Sequence, residues 1–401
     1  MEKLEVTFRI VTPLFLGGAK PNEYAELRPP SIKGAMRFWY RAIDPEYKEH
    51  EAKIFGGSGK NEGQSKFLLR ISGKRRAEQE WRNNDTRLKY FAFPFNMKQK
   101  RRYLAAGNEF TLKFIFKNSV QDAFLKRRII ASSWLLGHLG GIGFRSRRGF
   151  GTIALQEWKV SKSDWTELQQ VKILHKKSSV ADWWDSFQNT LIELKNWFPG
   201  THAADHAILG PASRFKFLET PADNSLEALA KAAAIMQNFR KRRDVSDPSS
   251  DYHRVKAHVC ACDHKAARVG ARLAPPITPE KLTTTVDRAA FGLPLSIKYS
   301  SLGYRQKKRN GSLLFKPNGE PDTYPTGPTF EGNIHIRSAS KIHIRVVKIR
   351  EQYYPFFIWM DGPLLANSER LKDRWGTYPQ PDDTILIDFW NSIQTTKEVA
   401  W

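Results

Sequence analysis

The chain has 401 residues and a hydrophobic content of 40%, which is enough to build more than one buried core. Lys and Arg total 65 against 41 Asp and Glu, so the formal net charge is +24 at pH 7. Such a surplus attracts nucleic acid or an anionic membrane surface, unless it serves only solubility. No apolar run reaches the roughly 20 residues of a membrane span, and the acidic N-terminus is unlike a signal peptide. We therefore expect a cytoplasmic protein without membrane contact.

Residues 1–160 alternate between strand and helix patterns. Leu4, Val6, Phe8 and Ile10 alternate with polar residues and predict a strand. Ser31 has N-cap chemistry and precedes an amphipathic helix. Further patterns predict strands over 66–71, 110–116 and 152–160 and a helix over 123–139. This βαββαβ order is that of a ferredoxin-like, or RRM-like, unit, which we expect as the first domain, residues 1–160.

Residues 161–401 have a less regular pattern, which we assign to a second domain. Helical periodicity covers 180–198 and 225–243. Strand patterns return at 293–299, 334–336, 342–349 and 354–360, and 384–399 resembles a closing helix. The predicted fold class is therefore α+β, with two ferredoxin-like βαββαβ domains, the second carrying a helical insertion.

A basic stripe runs along the first predicted helix. Lys33, Arg37 and Arg41 are four residues apart, and no acidic residue occurs between Ser31 and Ile43. Like charges at this spacing are mutually destabilising, and a bound phosphate would reverse that penalty. The alternative is an ordinary solvated helix face. We interpret the stripe as a site of RNA contact.

A glycine- and arginine-rich loop follows the second predicted helix. Glycines allow close approach of the backbone to a phosphate, and arginine supplies forked donors and a plane for base stacking. A turn whose arginines pair with acids elsewhere is the alternative. We predict RNA contact here, in line with an aromatic content of 12% that suits base stacking. The residues are Gly140, Gly141, Gly143, Gly149 and Gly151 with Arg145, Arg147 and Arg148.

The cysteines of this chain predict neither a disulfide nor a metal site. The two cysteines, Cys260 and Cys262, are too close in sequence for an unstrained disulfide. They lie among His253, His258 and His264, but the spacing matches neither paired Cys-x-x-Cys motifs nor a zinc finger. We therefore expect no metal and no other cofactor.

Several segments resemble a known family. They are TPLFLGG (12–18), LRPPSIKGAMRFWYRA (27–42), IFGG (54–57), GGIGFRSRRGFG (140–151), AFGLP (290–294) and RSAS (337–340). They resemble subunit one of the CRISPR type III-B (Cmr) effector complex, a family of the RAMP superfamily. The match is dense through Gly151, patchy over 152–288, and returns afterwards.

The resemblance implies a non-catalytic subunit in antiviral defence that contacts guide RNA near its 3′ end and caps the RAMP filament. Implied partners are CRISPR guide RNA, target RNA and other Cmr RAMP subunits. The motifs place RNA-binding residues at Arg28, Lys33, Arg37, Arg41 and in the loop arginines.

Two other functions remain open. RAMP endoribonucleases process CRISPR RNA by acid–base chemistry, and His50 and His138 are candidates for it. Neither has a recognisable partner in the sequence, so we predict no catalytic residue. A sequence-tolerant single-strand binder acting alone would explain the charge but not the motifs.

Overall fold

The computed structural model describes residues 1–18, 20, 22–60, 62–73, 78–82, 85–92, 101–117, 120–161, 165–175, 177–202, 206–245, 249–273, 275–305 and 323–401. Its helices are α1 Pro29–Ile43, α2 Tyr47–Phe55, α3 Lys89–Ala92, α4 Ala123–His138, α5 Glu167–Gln170, α6 Val180–Trp197, α7 Ser225–Val245, α8 Asp251–Cys262, α9 His264–Gly270 and α10 Thr384–Ser392. No helix within these ranges is both long enough and apolar enough to span a bilayer.

The strands alternate with the helices along the chain, which confirms the predicted mixed α+β class. They are β1 Glu2–Ile10, β2 Phe67–Ser72, β3 Glu78–Glu80, β4 Arg102–Leu104, β5 Glu109–Phe116, β6 Ile153–Val160, β7 Arg214–Phe217, β8 Leu295–Ser296, β9 Tyr299–Arg305, β10 Thr323–Thr326, β11 Thr329–Gly332, β12 Ile342–Ile349, β13 Gln352–Trp359, β14 Leu371–Lys372, β15 Thr377–Tyr378 and β16 Lys397–Ala400.

The chain divides into two compact units. The first unit comprises Met1–Ile235, Ile342–Gly362 and Ile393–Trp401, and the second comprises Met236–Lys341 and Pro363–Ser392. The predicted boundary between residues 160 and 161 falls inside the first unit. The sequence-based division into domains therefore stays a prediction.

An antiparallel sheet with the order β2-β5-β1-β6 builds the first part of the first unit. Leu4, Val6 and Phe8 of β1 are fully buried on one face, while the residues between them are partly exposed on the other. Helices α1 and α4 add Met36 and Trp134 to the same core. The strand and helix positions predicted for residues 1–160 agree with the structure to within about three residues.

A second antiparallel sheet, with the order β12-β13-β7-β16, also belongs to the first unit. Phe217 on β7 is paired with Phe356 on β13, and both rings lie within 5.5 Å of Trp183 on α6. The buried residues of both sheets form one continuous hydrophobic core. A core of this kind explains why the first unit extends beyond residue 160.

The second unit is built around helices α8 and α9 and small sheets. Strands β15, β14, β11 and β8 form one antiparallel sheet, and β9 pairs with β10. Val255 and Val259 of α8 share a core with Leu302, Phe330 and Leu371.

Two strand and helix predictions are wrong. Residues 334–336 form no strand, and Ile334 and Ile336 are exposed by 62% and 54%, because no strand in the described part of the chain pairs with them. The single helix predicted over 384–399 is instead α10 followed by β16, in which Val399 pairs with Phe215. Pairing of β16 with the edge of β7 in the second sheet thus overrides the local helical periodicity of these residues.

Helix α1 also begins differently from the prediction. Arg28, not Ser31, is the N-cap residue, and its side chain makes no capping hydrogen bond. Pro29 begins the helix, where the fixed φ of proline suits the first turn and its missing N–H has no intrahelical partner to lose. The predicted apolar face is confirmed, since Ile32, Met36 and Trp39 are buried.

Candidate nucleic-acid interface

The loop at 140–151 connects α4 to β6 and depends on its glycines for its shape. Gly143 and Gly151 have φ of 84° and 63°, a region that L side chains rarely adopt. A Cβ at Gly143 would lie 2.1 Å from the carbonyl oxygen of Phe15, and one at Gly140 would lie 2.3 Å from Nε1 of Trp39. The loop therefore packs against the segment after β1 and against α1. Gly141 and Gly149 have similarly close neighbours.

The three loop arginines lie in different environments. Arg145 is exposed and adopts φ of 62°, a left-handed conformation that is unusual for a residue with a side chain. The guanidinium of Arg147 lies 4.9 Å from the ring centroid of Phe38 on α1. Arg148 donates from Nη1 to the carbonyl oxygen of Ile342 at 3.0 Å. Arg145 and Arg147 form no ion pair with a residue that the structure describes.

The electrostatics of these arginines favour an anion. Loss of hydration lowers the pKa of Arg147 and of Arg148 to about 10, and a neighbouring arginine charge contributes to each shift. Both groups still carry a positive charge at neutral pH. A bound phosphate would replace the missing hydration and offset the mutual repulsion of the guanidinium groups.

Helix α1 and the loop share a cavity of about 260 Å³. The ring centroids of Phe38 and His343 are 5.9 Å apart with an interplanar angle of 30°, and Arg147 covers Phe38. Aromatic rings and guanidinium planes are the surfaces on which unpaired bases stack. The cavity is lined by Ala35, Phe38, Trp39, Leu139, Gly140, Gly141, Ser146, Arg147 and His343.

Part of the basic stripe is ion-paired. Arg37 Nε lies 3.4 Å from Glu51 Oε1, and Arg41 Nη2 donates to the same oxygen at 2.7 Å. Arg37 also donates to the carbonyl oxygen of Gly56. Glu51 is only 9% exposed and comes from α2, a helix that the sequence analysis did not predict. Arg37 and Arg41 therefore help to hold α2 on α1, and their contact with RNA stays a prediction.

The two other basic residues of this segment are more available. Lys33 lies 5.2 Å from the ring centroid of Phe67, and partial burial, followed by the charge of Arg37, lowers its pKa. Arg28 is exposed, and its side chain has no hydrogen bond or ion pair within the described part of the chain. Lys33 and Arg28 are thus free to contact a polyanion.

Helix α4, which precedes the loop, carries a run of three basic residues at 126–128, and all three make contacts within the protein. Arg128 Nε lies 2.8 Å from Asp44 Oδ2, and both side chains are buried. Lys126 Nζ lies 3.9 Å from Glu167 Oε2, also in a buried pair. Arg127 covers the ring of Trp197 at 5.6 Å. The charge density of this run in the sequence thus overstates the basic surface around the loop.

Phe144 is a site residue that the sequence analysis did not single out. Its ring is 44% exposed, and the guanidinium of Arg101 lies 4.8 Å from its centroid. Its backbone N–H donates to the carbonyl oxygen of Phe15 at 2.8 Å, which anchors the loop beneath it. The signal that could have revealed it is a large apolar residue between Gly143 and Arg145, in a loop that exposes its side chains.

The two histidines considered for catalysis have structural surroundings. His138 is buried and stacks on Trp134 at 4.2 Å, and burial, assisted by the charge of Arg345, lowers its pKa to about 3. Its Nδ1 lies 2.8 Å from the carbonyl oxygen of Trp134, and its Nε2 accepts from the N–H of Leu174. His50 packs edge-on against Phe124 at 4.7 Å.

Two of the residues considered as zinc ligands, His258 and Cys260, are engaged in the packing and hydrogen bonding of the second unit. His258 accepts a hydrogen bond from the N–H of Leu282 at 3.1 Å, and Tyr378 Oη lies 3.0 Å from its other ring nitrogen. Cys260 is buried in the core of the second unit. Among the described residues, no group of three or more His, Cys, Asp or Glu side chains is arranged to hold a metal ion.

Comparisons with known proteins agree on one family. A family model described as RAMP superfamily matches residues 7–154, which include α1 and the loop. CRISPR system Cmr subunit Cmr1-1 of Pyrococcus furiosus is 27% identical over 260 residues, covering 60% of this chain and 72% of that protein. Subunit Cmr1-2 of the same organism is 30% identical over 176 residues, covering 36% of this chain and 91% of that protein.

Solved structures share the fold. The apo crystal structure of Cmr1 from Pyrococcus furiosus has a TM-score of 0.53 at 19% identity and covers 91% of this chain and 89% of its own. A chain in the cryo-EM structure of Type III-B Cmr-beta bound to cognate target RNA has a TM-score of 0.50 at 12% identity and covers 98% of both. The match to Cmr1-2 over nearly the whole of that relative establishes that this chain belongs to the Cmr1 family of the RAMP superfamily, found in type III-B CRISPR systems.

Proposed function

We propose that this chain is a non-catalytic, RNA-binding subunit of a type III-B Cmr ribonucleoprotein complex. In this proposal it contacts guide RNA near its 3′ end, caps the RAMP filament in the cytoplasm, and meets target RNA and other Cmr subunits. The Cmr1 relatives and the target-RNA-bound Cmr-beta structure support membership of such a complex. The observation that carries RNA binding is the cavity shared by α1 and the loop, with Arg147 stacked on Phe38.

The chemistry of this cavity suits single-stranded RNA. At the cavity Arg147 offers donors for phosphate oxygens and the ring of Phe38 offers a stacking surface. In the adjoining loop the exposed Arg145 and Phe144 offer a further donor group and a further ring. The open face of the first sheet is less suited to binding single-stranded RNA. On this face the central strands carry Thr7 and Thr111 beside charged residues, whereas the rings of β5 point into the core. RNA recognition through aromatic residues on the sheet, as in an RRM, is therefore not part of the proposal.

The proposal includes two ferredoxin-like units. The sheet orders β2-β5-β1-β6 and β12-β13-β7-β16 both place the first strand of the motif beside the third and fourth, if β7, β12, β13 and β16 are its strands. Helices α1 and α4 occupy the two helical positions of the first motif. In this reading α8 and α9 belong to the helical insertion between β7 and β12.

Salt-dependent RNA binding tests the proposal. The logarithm of the affinity for single-stranded RNA should fall linearly with the logarithm of salt concentration, with a slope of about −0.7 per neutralised phosphate. The double variant Arg145→Ala, Arg147→Ala should reduce that slope by about 0.7 for each lost contact. Arg82→Ala, Arg87→Ala is the matched control, because it removes the same charge from exposed arginines paired with Glu80 and Asp85.

Two results would contradict the proposal. The first is a loop variant that binds guide RNA and joins the Cmr complex like wild type. The second is RNA cleavage by the wild-type protein that disappears in His50→Ala, which would favour the endoribonuclease function instead. The proposal expects RNA to remain intact after prolonged incubation with the protein.

A further inference from the structure

We propose a second phosphate-binding site for RNA, separate from the loop, in a cationic cavity of about 320 Å³ within the first unit. The cavity lies between the end of β1, the turn before β5 and the tip of the β12–β13 hairpin. Its ligand class is the phosphate backbone of single-stranded RNA, so the inference rests on the proposed function. The cationic lining residues are Arg9, Lys348 and Arg350, with His175 beside them.

The charge of the cavity is strongly unbalanced. Among the described residues that line it, Glu351 is the one acidic residue, and its side chain is 92% exposed and pairs with Lys348 at 3.0 Å. The side chains of Arg9 and Arg350 have no hydrogen-bonded or ion-paired partner among the residues that the structure describes. Glu109 lies opposite Arg9 in the strand register without forming an ion pair. Two unneutralised guanidinium groups at one cavity are an arrangement suited to phosphate.

Arg350 occupies a costly backbone position. It lies in the two-residue turn of the β12–β13 hairpin with φ of 52°, where Gly or Asn is normally preferred. A side chain that is kept at a strained position often has a role in binding. Here the turn places Arg350 in the lining of the same cavity as Arg9.

The walls leave room for a backbone to approach. Gly107 has φ of 88°, and a Cβ there would meet only Nη2 of Arg9, at 4.0 Å. Ala106 and Ala154 are the neighbouring small residues of the lining. Tyr353 is half-buried and lies under Lys348 at 5.4 Å, which adds a ring to the cationic lining. Small wall residues and unpaired guanidinium groups suit a sugar-phosphate backbone. The ring of Tyr353 favours a nucleic acid over an acidic peptide, because a base can stack on it.

The position of the cavity fits a continuous RNA path. The N–H of Ile344 donates to the carbonyl oxygen of Arg147, so the start of β12 touches the loop. Arg350 lies six residues further along the chain, and a strand rises about 3.3 Å per residue, which separates the two sites by about 20 Å. RNA of several nucleotides could reach both, since single-strand sites span about 4–16 nucleotides per fold in OB proteins.

The test compares three double variants by RNA binding at several salt concentrations. Arg9→Ala, Arg350→Gly should lower the salt slope by about 0.7 for each lost phosphate contact, as should the loop variant Arg145→Ala, Arg147→Ala. The change to Gly suits a positive φ, so it should not destabilise the hairpin. Combining the four substitutions should lower the slope by the sum of both effects, whereas Arg82→Ala, Arg87→Ala should leave it unchanged.

The outcomes separate this inference from the proposed function. Wild-type RNA binding by Arg9→Ala, Arg350→Gly, here called the hairpin variant, with weakened binding by the loop variant, overturns the second site alone. Wild-type binding by both variants overturns both proposals. An equal loss in the Arg82→Ala, Arg87→Ala control indicates non-specific charge and overturns the second site. Inorganic phosphate that binds wild type but not the hairpin variant, without any change in RNA affinity, would assign the cavity to free phosphate and overturn the RNA assignment.

Discussion

Arg128→Leu is predicted to destabilise the protein strongly while leaving the salt dependence of RNA binding unchanged. The Arg128–Asp44 pair is 2.8 Å long, and its members are 7% and 1% exposed. Removing the arginine would leave a buried carboxylate without its charge partner, which costs about 3–5 kcal/mol. The guanidinium also lies over the ring of Phe124 and within 5.5 Å of that of Phe198, so packing is lost as well.

Thermal and urea unfolding measure this effect. For a domain of 150–250 residues a change of 1 kcal/mol shifts Tm by about 2–4 °C, so a decrease of roughly 6–20 °C is expected. Asp44→Ala, Arg128→Leu should be less destabilised than the sum of the single variants, because no unpaired buried charge remains. The matched control is Arg127→Leu, which loses a contact with Trp197 worth about 0.5–1 kcal/mol. A free energy of unfolding for Arg128→Leu within about 0.5 kcal/mol of wild type would refute the reasoning.

Three further predictions follow from single side chains. Arg37→Ala should destabilise the protein by about 1–2 kcal/mol in urea unfolding, after allowance for its partial exposure, because it loses its contacts with Glu51 and the Gly56 carbonyl. The control Lys33→Ala should change the free energy of unfolding by less than about 0.5 kcal/mol, and equal effects of the two substitutions would contradict the prediction. Burial lowers the pKa of His138 from its ordinary value of 6.5 to about 3 in the folded protein, so between these values the unfolded chain binds the extra proton. Stability should therefore fall as pH decreases through that window, by up to about 1.4 kcal/mol per pH unit, and His138→Gln should flatten this dependence in urea unfolding at pH 4–7. Phe144→Ala should weaken single-stranded RNA binding by about 1–3 kcal/mol, or 5- to 150-fold, in a fluorescence anisotropy titration with little change in Tm, and unchanged affinity would exclude stacking on this ring.

Local periodicity predicted much of the first unit. Alternation in β1 and β5 and the apolar face of α1 are confirmed, because one face of each element packs against the core. Helix α2 was missed because its nine residues are mostly charged or polar, and Tyr47, Ile54 and Phe55 give only a weak pattern. The single helix predicted at the C-terminus failed because β16 pairs with β7, a partner about 180 residues away in sequence.

The sequence by itself determined that arginines and glycines are concentrated at 140–151 and that α1 has a basic side. Backbone requirements explain the glycines, since a side chain at Gly143 would collide with the chain after β1. Composition also determined the +24 charge that makes a polyanion the expected partner.

Only the tertiary structure decided which basic residues are available to that partner. Arg128 is held by Asp44, and Arg37 and Arg41 are held by Glu51, whereas Arg145 remains exposed. Charge pairing acts over a few ångströms in space, and the partners are brought together by folding from segments that are distant in sequence. The spacing of residues along the chain therefore revealed where positive charge accumulates, and the packing of α2 and α4 around α1 decided how much of it faces solvent.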